Sequence, residues 1–184
     1  MGIVFRQSAK TSIIVFLGAV LGALVLWLSI RFIPAHEYGF TQDFAYKAIT
    51  ASQLLLVGLN NTMVVYIHKF VNSDEKRKSL LSFSFLIPLI LTALFTVLYF
   101  LLHDNVINFF QPKDHALVRE YFIWLPVYTL LLMYQTLLEQ YLNSQMKVAI
   151  TAFIREIALR LFNIALILMF VFQIISFSTF VIST

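Results

Sequence analysis

Charged and polar side chains interrupt an otherwise apolar segment near the C-terminal end of the chain, where they could bind an anion. Arg155, Glu156, Arg160 and Asn163 all fall within residues 148–170. A charged side chain in hydrocarbon is costly, and those that remain usually face a helix-bundle interior or a water-filled cavity. Arginine offers a fixed fork of donors that suits phosphate or pyrophosphate oxygens. These four residues therefore form a candidate site for an anionic head group.

The spacing of these residues predicts how they are arranged on a helix. Glu156, Arg160 and Asn163 follow an i, i+4, i+7 pattern, which places them on one stripe with Glu156 and Arg160 in the favourable order for an ion pair. Arg155 is expected about 100° away from Glu156, off that stripe. The alternative is that Arg155 extends to the membrane interface while Glu156 and Arg160 only neutralise each other.

Two other apolar segments carry polar residues at helical spacing. Each set predicts either a face toward a substrate cavity or hydrogen bonds between helices. The stripe in the fourth segment contains Tyr121, Tyr128, Gln135 and Glu139, and the stripe in the second contains Tyr46, Gln53 and Asn60. Gln135, Glu139, Gln53 and Asn60 join the candidate substrate-binding residues.

The sequence does not predict an enzyme. The four histidines, at positions 36, 68, 103 and 115, lack the spacing of metal ligands, and the chain has no cysteine. It contains no P-loop or other nucleotide-binding fingerprint. We therefore predict no catalytic residue, no metal site and no cofactor. Nucleic acid is not an expected partner, because the basic residues lie between apolar runs rather than on one face.

The composition predicts an all-α, polytopic bundle of transmembrane helices. Hydrophobic residues make up 60% of the 184 residues and charged residues 12%, which leaves too little polar surface for a water-soluble fold. Runs of about 20 apolar residues can cross a bilayer. The predicted spans are residues 12–30, 44–67, 79–102, 121–141 and 148–170, with residues 174–184 as an incomplete sixth from which the natural chain is expected to continue.

Glycine and proline mark two local features of these spans. Gly18 and Gly22 form a G-x-x-x-G pattern in the first span, which favours close packing between helices. Pro88 lies inside the third span, where we expect a kink.

The distribution of lysine and arginine predicts the orientation. Short cytoplasmic loops hold an excess of these residues, and the N-terminus and the segment 69–78 are the most basic. The N-terminus is therefore expected to be cytoplasmic. The polar segment 103–120 is expected outside, with a short amphipathic piece at the membrane interface.

Three parts of the chain resemble oligosaccharide flippases of the polysaccharide biosynthesis family. They are Met-Gly-Ile-Val-Phe-Arg-Gln-Ser at residues 1–8 directly before the first span, the loop Lys69 to Leu80 with its Ser-Asp-Glu-Lys-Arg-Lys stretch, and Arg155-Glu156 with Arg160. The family belongs to the superfamily that includes multidrug extruders and the lipid II flippase. The resemblance implies a protein of about twelve to fourteen helices in two lobes around a cavity that opens alternately to each side.

On this resemblance, the chain is the N-terminal lobe of a flippase that moves a lipid-linked oligosaccharide across the bacterial cytoplasmic (inner) membrane. Its expected partners are that lipid, the bilayer, and a C-terminal lobe or a second copy of the chain. Two alternatives remain open: a small membrane subunit or half-size transporter that dimerises through surfaces such as Gly18 and Gly22, and a membrane-embedded glycan transferase.

Overall fold

The computed structural model describes residues 3–56, 58–69, 74–110, 114–145 and 148–172. This part of the chain is helical with short turns and contains no strand, which confirms the all-α prediction. The α-helices are α1 (Ile3–Phe32), α2 (Ala35–Leu56), α3 (Leu59–Lys69), α4 (Asp74–Leu101), α5 (His103–Asn108), α6 (His115–Tyr121), α7 (Trp124–Ser144), α8 (Val148–Phe153) and α9 (Leu159–Val171). A π-helical stretch, Ile154–Ala158, joins α8 to α9.

The chain forms two compact units, and the first contains Met1–Thr41 and Gln145–Thr184. Within this unit α1 packs against α8, the π-helical stretch and α9. Its apolar core contains Leu28 and Ile33 near the end of α1, together with Leu166 and Ile167 from α9. The first and last described parts of the sequence thus meet along the length of α1.

The second unit, Gln42–Ser144, is organised around α7. This helix packs against both α3 and α4, which also contact each other. Its core contains Leu56, Met63, Ile67, Met133 and Leu137. Burial of these side chains ties α3 and the end of α2 to α7.

Among the described residues, two helices are long and apolar enough to cross a membrane by themselves. They are the segment Ser8–Phe32 of α1 and the segment Lys78–Leu101 of α4. Much of the surface of both helices is apolar and exposed, including Phe16, Trp27 and Leu94, as expected where lipid replaces water as the solvent. The number of candidate spans rises to four if each of two bent helix pairs crosses once.

The prediction of five spans is therefore not confirmed. The fifth predicted span is helical over residues 148–171, but its π-helical stretch and three charged residues keep it outside the set of helices that meet the length and composition of a span. The sixth, residues 174–184, lies outside the described residues.

The second and fourth predicted spans are bent rather than straight. Gly58, with φ of 79°, separates α2 from α3, and the segments Ala35–Leu56 and Asn61–Ile67 meet at 49°. Glycine adopts this left-handed conformation without the steric cost that a Cβ imposes. In the fourth span, α6 and α7 meet at 66°.

Aromatic packing accompanies the second bend. Phe122, in the turn between α6 and α7, stacks on Tyr99 of α4 with ring centroids 4.2 Å apart. The ring of His103 lies 4.6 Å from the same phenylalanine. The segment 103–120 contains the short helix α5 and all of α6 except its last residue, so much of it is helical rather than an extended loop.

Helix α4 continues through Pro88 as one element. Proline cannot donate to the carbonyl four residues earlier, that of Ser84. One residue away, the Tyr134 hydroxyl of α7 donates to the Phe85 carbonyl at 2.9 Å. The neighbouring helix thus supplies a donor to the backbone beside the proline, as expected for proline in a packed membrane helix.

Candidate functional site

Two arginines hold the carboxylate of Glu156, one on each oxygen. Arg155 Nε donates to Oε1 at 3.1 Å, and Arg160 Nη2 donates to Oε2 at 2.7 Å. Exposed fractions of the side chains are 55% for Arg155, 14% for Glu156 and 30% for Arg160. We call these three residues the charged cluster. Its formal charge is +1, two guanidinium groups less one carboxylate.

The charged cluster packs directly against the backbone of α1. Arg160 Nη1 donates to the Gly18 carbonyl, so this arginine links Glu156 to α1. A Cβ added at Gly18 would lie 2.6 Å from the Cβ of Glu156, well inside van der Waals contact. One added at Gly22 would collide with the guanidinium of Arg160. The two glycines therefore form a groove for the two charged residues.

This contact confirms that the G-x-x-x-G pattern serves helix packing. The partner is the chain's own C-terminal segment, so this surface of α1 is occupied by an intrachain contact rather than open to a second copy. Two matching residue spacings are the signal in the sequence that could have indicated this contact. Gly18 and Gly22 are four residues apart, as are Glu156 and Arg160, so one turn of α1 matches one turn of the opposing helix.

The π-helical stretch carries part of the charged cluster. Both Arg155 and Glu156 lie within Ile154–Ala158, where hydrogen bonds of the i→i+5 type replace those of an α-helix. Arg155 and Glu156 are adjacent in the chain, and the hydrogen bond joins their side chains although Arg155 was predicted to project off the stripe of Glu156; the bond does not test that prediction. Asn163 is half-buried on α9, three residues beyond Arg160. The structure therefore brings Arg155, Glu156 and Arg160 together and leaves Asn163 at the next turn.

The charged cluster lies at mid-length of the more apolar of the two candidate spans. Gly18, which contacts it, is about 15 Å along the axis from Ser8 and about 21 Å from Phe32 at about 1.5 Å per residue. Ser8–Phe32 is a candidate membrane span, and the hydrocarbon core of a bilayer is about 30 Å thick. A cluster beside Gly18 is thus far from either end of the span.

The polar stripe of the fourth span is shorter than predicted. Gln135 Nε2 donates to Glu139 Oε1 at 3.2 Å on α7, so these two residues form a pair on one face. Tyr121 belongs to α6, across the 66° bend, and is buried. A single straight stripe from Tyr121 to Glu139 was wrong because it assumed one uninterrupted helix.

The predicted stripe of the second span is also interrupted. Gln53 lies exposed on α2, whereas Asn60 belongs to α3, beyond the turn at Gly58. The seven-residue spacing of Tyr46, Gln53 and Asn60 therefore does not run along one helix. The side chain of Asn60 lies outside the described part of the structure.

Over the residues that the structure describes, these features define an all-helical protein with two to four helices long and apolar enough to cross a membrane. Within the described ranges, no group of three or more histidine, aspartate or glutamate side chains is placed to hold a metal ion. No protein-family model matches the chain, and no match is found among curated proteins or solved structures.

Proposed function

We propose that this chain is one lobe of a flippase that moves a lipid-linked oligosaccharide across the cytoplasmic membrane during polysaccharide biosynthesis. The observation that carries the proposal is the charged cluster of net charge +1 beside the middle of α1. A carrier lipid linked to its sugar through pyrophosphate combines an apolar chain with an anionic head group. The apolar helices suit the first part, and the arginines suit the second.

A charge at membrane depth is costly unless other groups stabilise it. Glu156 neutralises one guanidinium, and the remaining positive charge has to be stabilised by water, by polar groups or by an anion. An anionic head group that passes the cluster would balance this positive charge during part of its passage. A cation at mid-depth therefore lowers the barrier for the most polar section of the substrate.

The proposed process is transport without covalent change, so it requires no catalytic residue or cofactor in this chain. Its partners are the lipid-linked oligosaccharide, the bilayer, and a second lobe or a second copy that completes a cavity. We place the N-terminus and the basic residues around Lys76 on the cytoplasmic side, because positively charged loops are retained there. The proposed location is the bacterial inner membrane.

The test is a gene replacement in the organism that encodes the chain. Deletion should lower surface polysaccharide and cause lipid-linked oligosaccharide to accumulate, and the unchanged gene should reverse both effects. Arg160→Gln should fail to reverse them. Arg31→Gln removes the same charge at an exposed site in the last turn of α1 and is the matched control.

Protein abundance in the membrane has to be measured for both variants, since a loss of folding would mimic a loss of transport. Unchanged surface polysaccharide and unchanged lipid-linked intermediates after deletion would refute the proposed function. If Arg160→Gln and Arg31→Gln restore surface polysaccharide equally at equal abundance, the charged cluster is not required for the proposed function.

A further inference from the structure

Positive charge is concentrated where α3 ends and α4 begins. Within residues 69–78 the cations are Lys69, Lys76, Arg77 and Lys78, and the anions are Asp74 and Glu75. Four positive charges less two negative ones leave a formal charge of +2. The side chains of Lys69, Lys76 and Lys78 are exposed, and we call these three residues the basic surface.

The basic surface lies at one end of the helix pair formed by α3 and α4. Ile67 of α3 and Leu80 of α4 pack in the same apolar cluster. Lys69 follows Ile67 by two residues, and Lys78 precedes Leu80 by two, so the packing of the two helices brings their lysines to the same end. Lys69 Nζ lies 5.1 Å from the centroid of the Tyr66 ring, and tyrosine is enriched where a membrane meets water.

This end coincides with the start of a candidate membrane span. The span in α4 begins at Lys78 and ends at Leu101, so the basic surface falls at the level of the lipid head groups. Lysine can lay its apolar stem along the hydrocarbon while its ammonium group stays among the head groups. Positions 76 and 78 are about 200° apart around a helix, so positive charge is present on opposite sides of α4.

We propose that the basic surface binds the phosphate groups of anionic lipids in the adjoining leaflet. Clusters of lysine and arginine directly beside a membrane-spanning helix attract anionic head groups. Cations on opposite sides of a helix can all be reached by a leaflet that surrounds it. The inference goes beyond the proposed transport function, because it concerns the lipid that surrounds the protein and not the molecule that is carried.

An open depression on α4 favours a lipid over a soluble polyanion as the bound partner. Its volume is about 310 Å³, and it is lined by Lys76, Ser79, Leu80 and Phe83, whose spacing places them on one face of the helix. Phe83 is 56% exposed and lies about 7.5 Å deeper along the axis than the first residue of the span. The depression therefore runs from polar residues at head-group level to apolar residues at the level of the acyl chains.

The test measures which lipid is enriched beside the basic surface of the full chain in nanodiscs. Trp27→Phe and Trp124→Phe remove the two tryptophans of the sequence, and Phe83→Trp then adds a single reporter near the basic surface. Quenching of its fluorescence by brominated phosphatidylglycerol is compared with quenching by brominated phosphatidylcholine. Leu101→Trp, at the other end of the same span and 75% exposed, is the matched control reporter.

The Phe83→Trp reporter should show a preference for phosphatidylglycerol, and the Leu101→Trp reporter should show little. A formal charge of +2 predicts a preference of about 30-fold at low ionic strength, since each cation near an anionic leaflet contributes about fivefold. Lys78→Gln should lower the preference about fivefold, and Lys78→Arg should keep it. Glu75→Gln removes a negative charge from an exposed site and should raise the preference by a similar factor.

Ionic strength provides an independent check of the electrostatic origin. An increase from 0.01 to 1 M shortens the screening length from about 30 to about 3 Å, so the preference at position 83 should fall toward that at position 101. Equal preference at the two reporters at low ionic strength would overturn the proposal, as would an unchanged preference in Lys78→Gln. A loss of preference in both Lys78→Gln and Glu75→Gln would also overturn it, because their charges change in the same direction as seen by neither sign of lipid attraction.

Discussion

Replacement of Gly18 by alanine should destabilise the protein, although alanine is the better helix former. The added methyl group would lie 2.6 Å from the Glu156 Cβ and 3.0 Å from the Glu156 carbonyl oxygen. Carbon atoms in ordinary contact are about 3.5–4.0 Å apart. Helix α1 and the π-helical stretch would therefore have to separate by about 1 Å.

The separation has three energetic consequences that can be compared. Overpacking of this kind costs about 1–3 kcal/mol. Weakening of the hydrogen bond from Arg160 to the Gly18 carbonyl costs about 0.6–1.7 kcal/mol, from the average to the maximum found for hydrogen bonds between membrane helices. The helix propensity of alanine returns about 1 kcal/mol. We therefore expect a net loss of about 0.6–3.7 kcal/mol for Gly18→Ala, set by the clash and the hydrogen bond.

The chain provides a matched control and an intermediate case. A Cβ at Gly39, in α2, would have no heavy atom within 4 Å. Gly39→Ala should therefore raise the free energy of unfolding through the helix propensity of alanine, without a clash. At Gly22 the added Cβ would meet the flexible end of Arg160. That side chain can move more easily than backbone, so Gly22→Ala should fall between the other two variants.

The measurement is the free energy of unfolding in mixed micelles, titrated with a denaturing detergent and followed by circular dichroism. The expected order of stability is Gly39→Ala, then Gly22→Ala, then Gly18→Ala. Equal stability of Gly18→Ala and Gly39→Ala would refute the close contact between α1 and the charged cluster.

Three other expectations concern orientation, the ion pair and the backbone of α4. Cysteine at Glu75 should resist a membrane-impermeant thiol reagent in intact cells, whereas cysteine at Asp104, a highly exposed position, should react; the reverse pattern would invert the proposed topology. The double variant Glu156→Gln with Arg160→Gln should reach the membrane in larger amounts than Arg160→Gln alone, because no carboxylate is left uncompensated. Equal amounts of the two variants in an immunoblot would contradict an energetically important pair between Glu156 and Arg160. Tyr134→Phe removes a hydroxyl donor to a backbone carbonyl of α4 and should lower the free energy of unfolding by about 1 kcal/mol, so an unchanged detergent titration would argue against that bond.

Local properties of the sequence were enough to predict the helical class and much of the helix content. The apolar run 12–30 lies inside α1, and the run 79–102 lies inside α4 except for Leu102. Long stretches without charge satisfy their backbone groups best as helices in an apolar medium. The pairing of Glu156 with Arg160 also followed from local spacing, since residues four apart lie on the same side of a helical turn.

Interruptions within the predicted spans were harder to foresee. The sequence pattern does not distinguish a glycine that forms a turn, as Gly58 does, from one that is tolerated inside a helix. No glycine or proline marks the π-helical stretch Ile154–Ala158. Hydropathy responds to length and polarity but not to direction, so a run bent by 49° or 66° looks the same as a straight one. Both stripes that assumed straight helices were consequently wrong in part.

The sequence alone thus determined that this protein is built from apolar helices, because helix formation and hydrophobicity are properties of neighbouring residues. The tertiary structure decided that Gly18 and Gly22 receive Glu156 and Arg160. The hydrogen bond from Arg160 to Gly18 joins residues 142 positions apart, and no periodicity within either helix specifies which helix packs against the other. That choice depends on complementary shape and charge, which exist only once the two helices lie side by side.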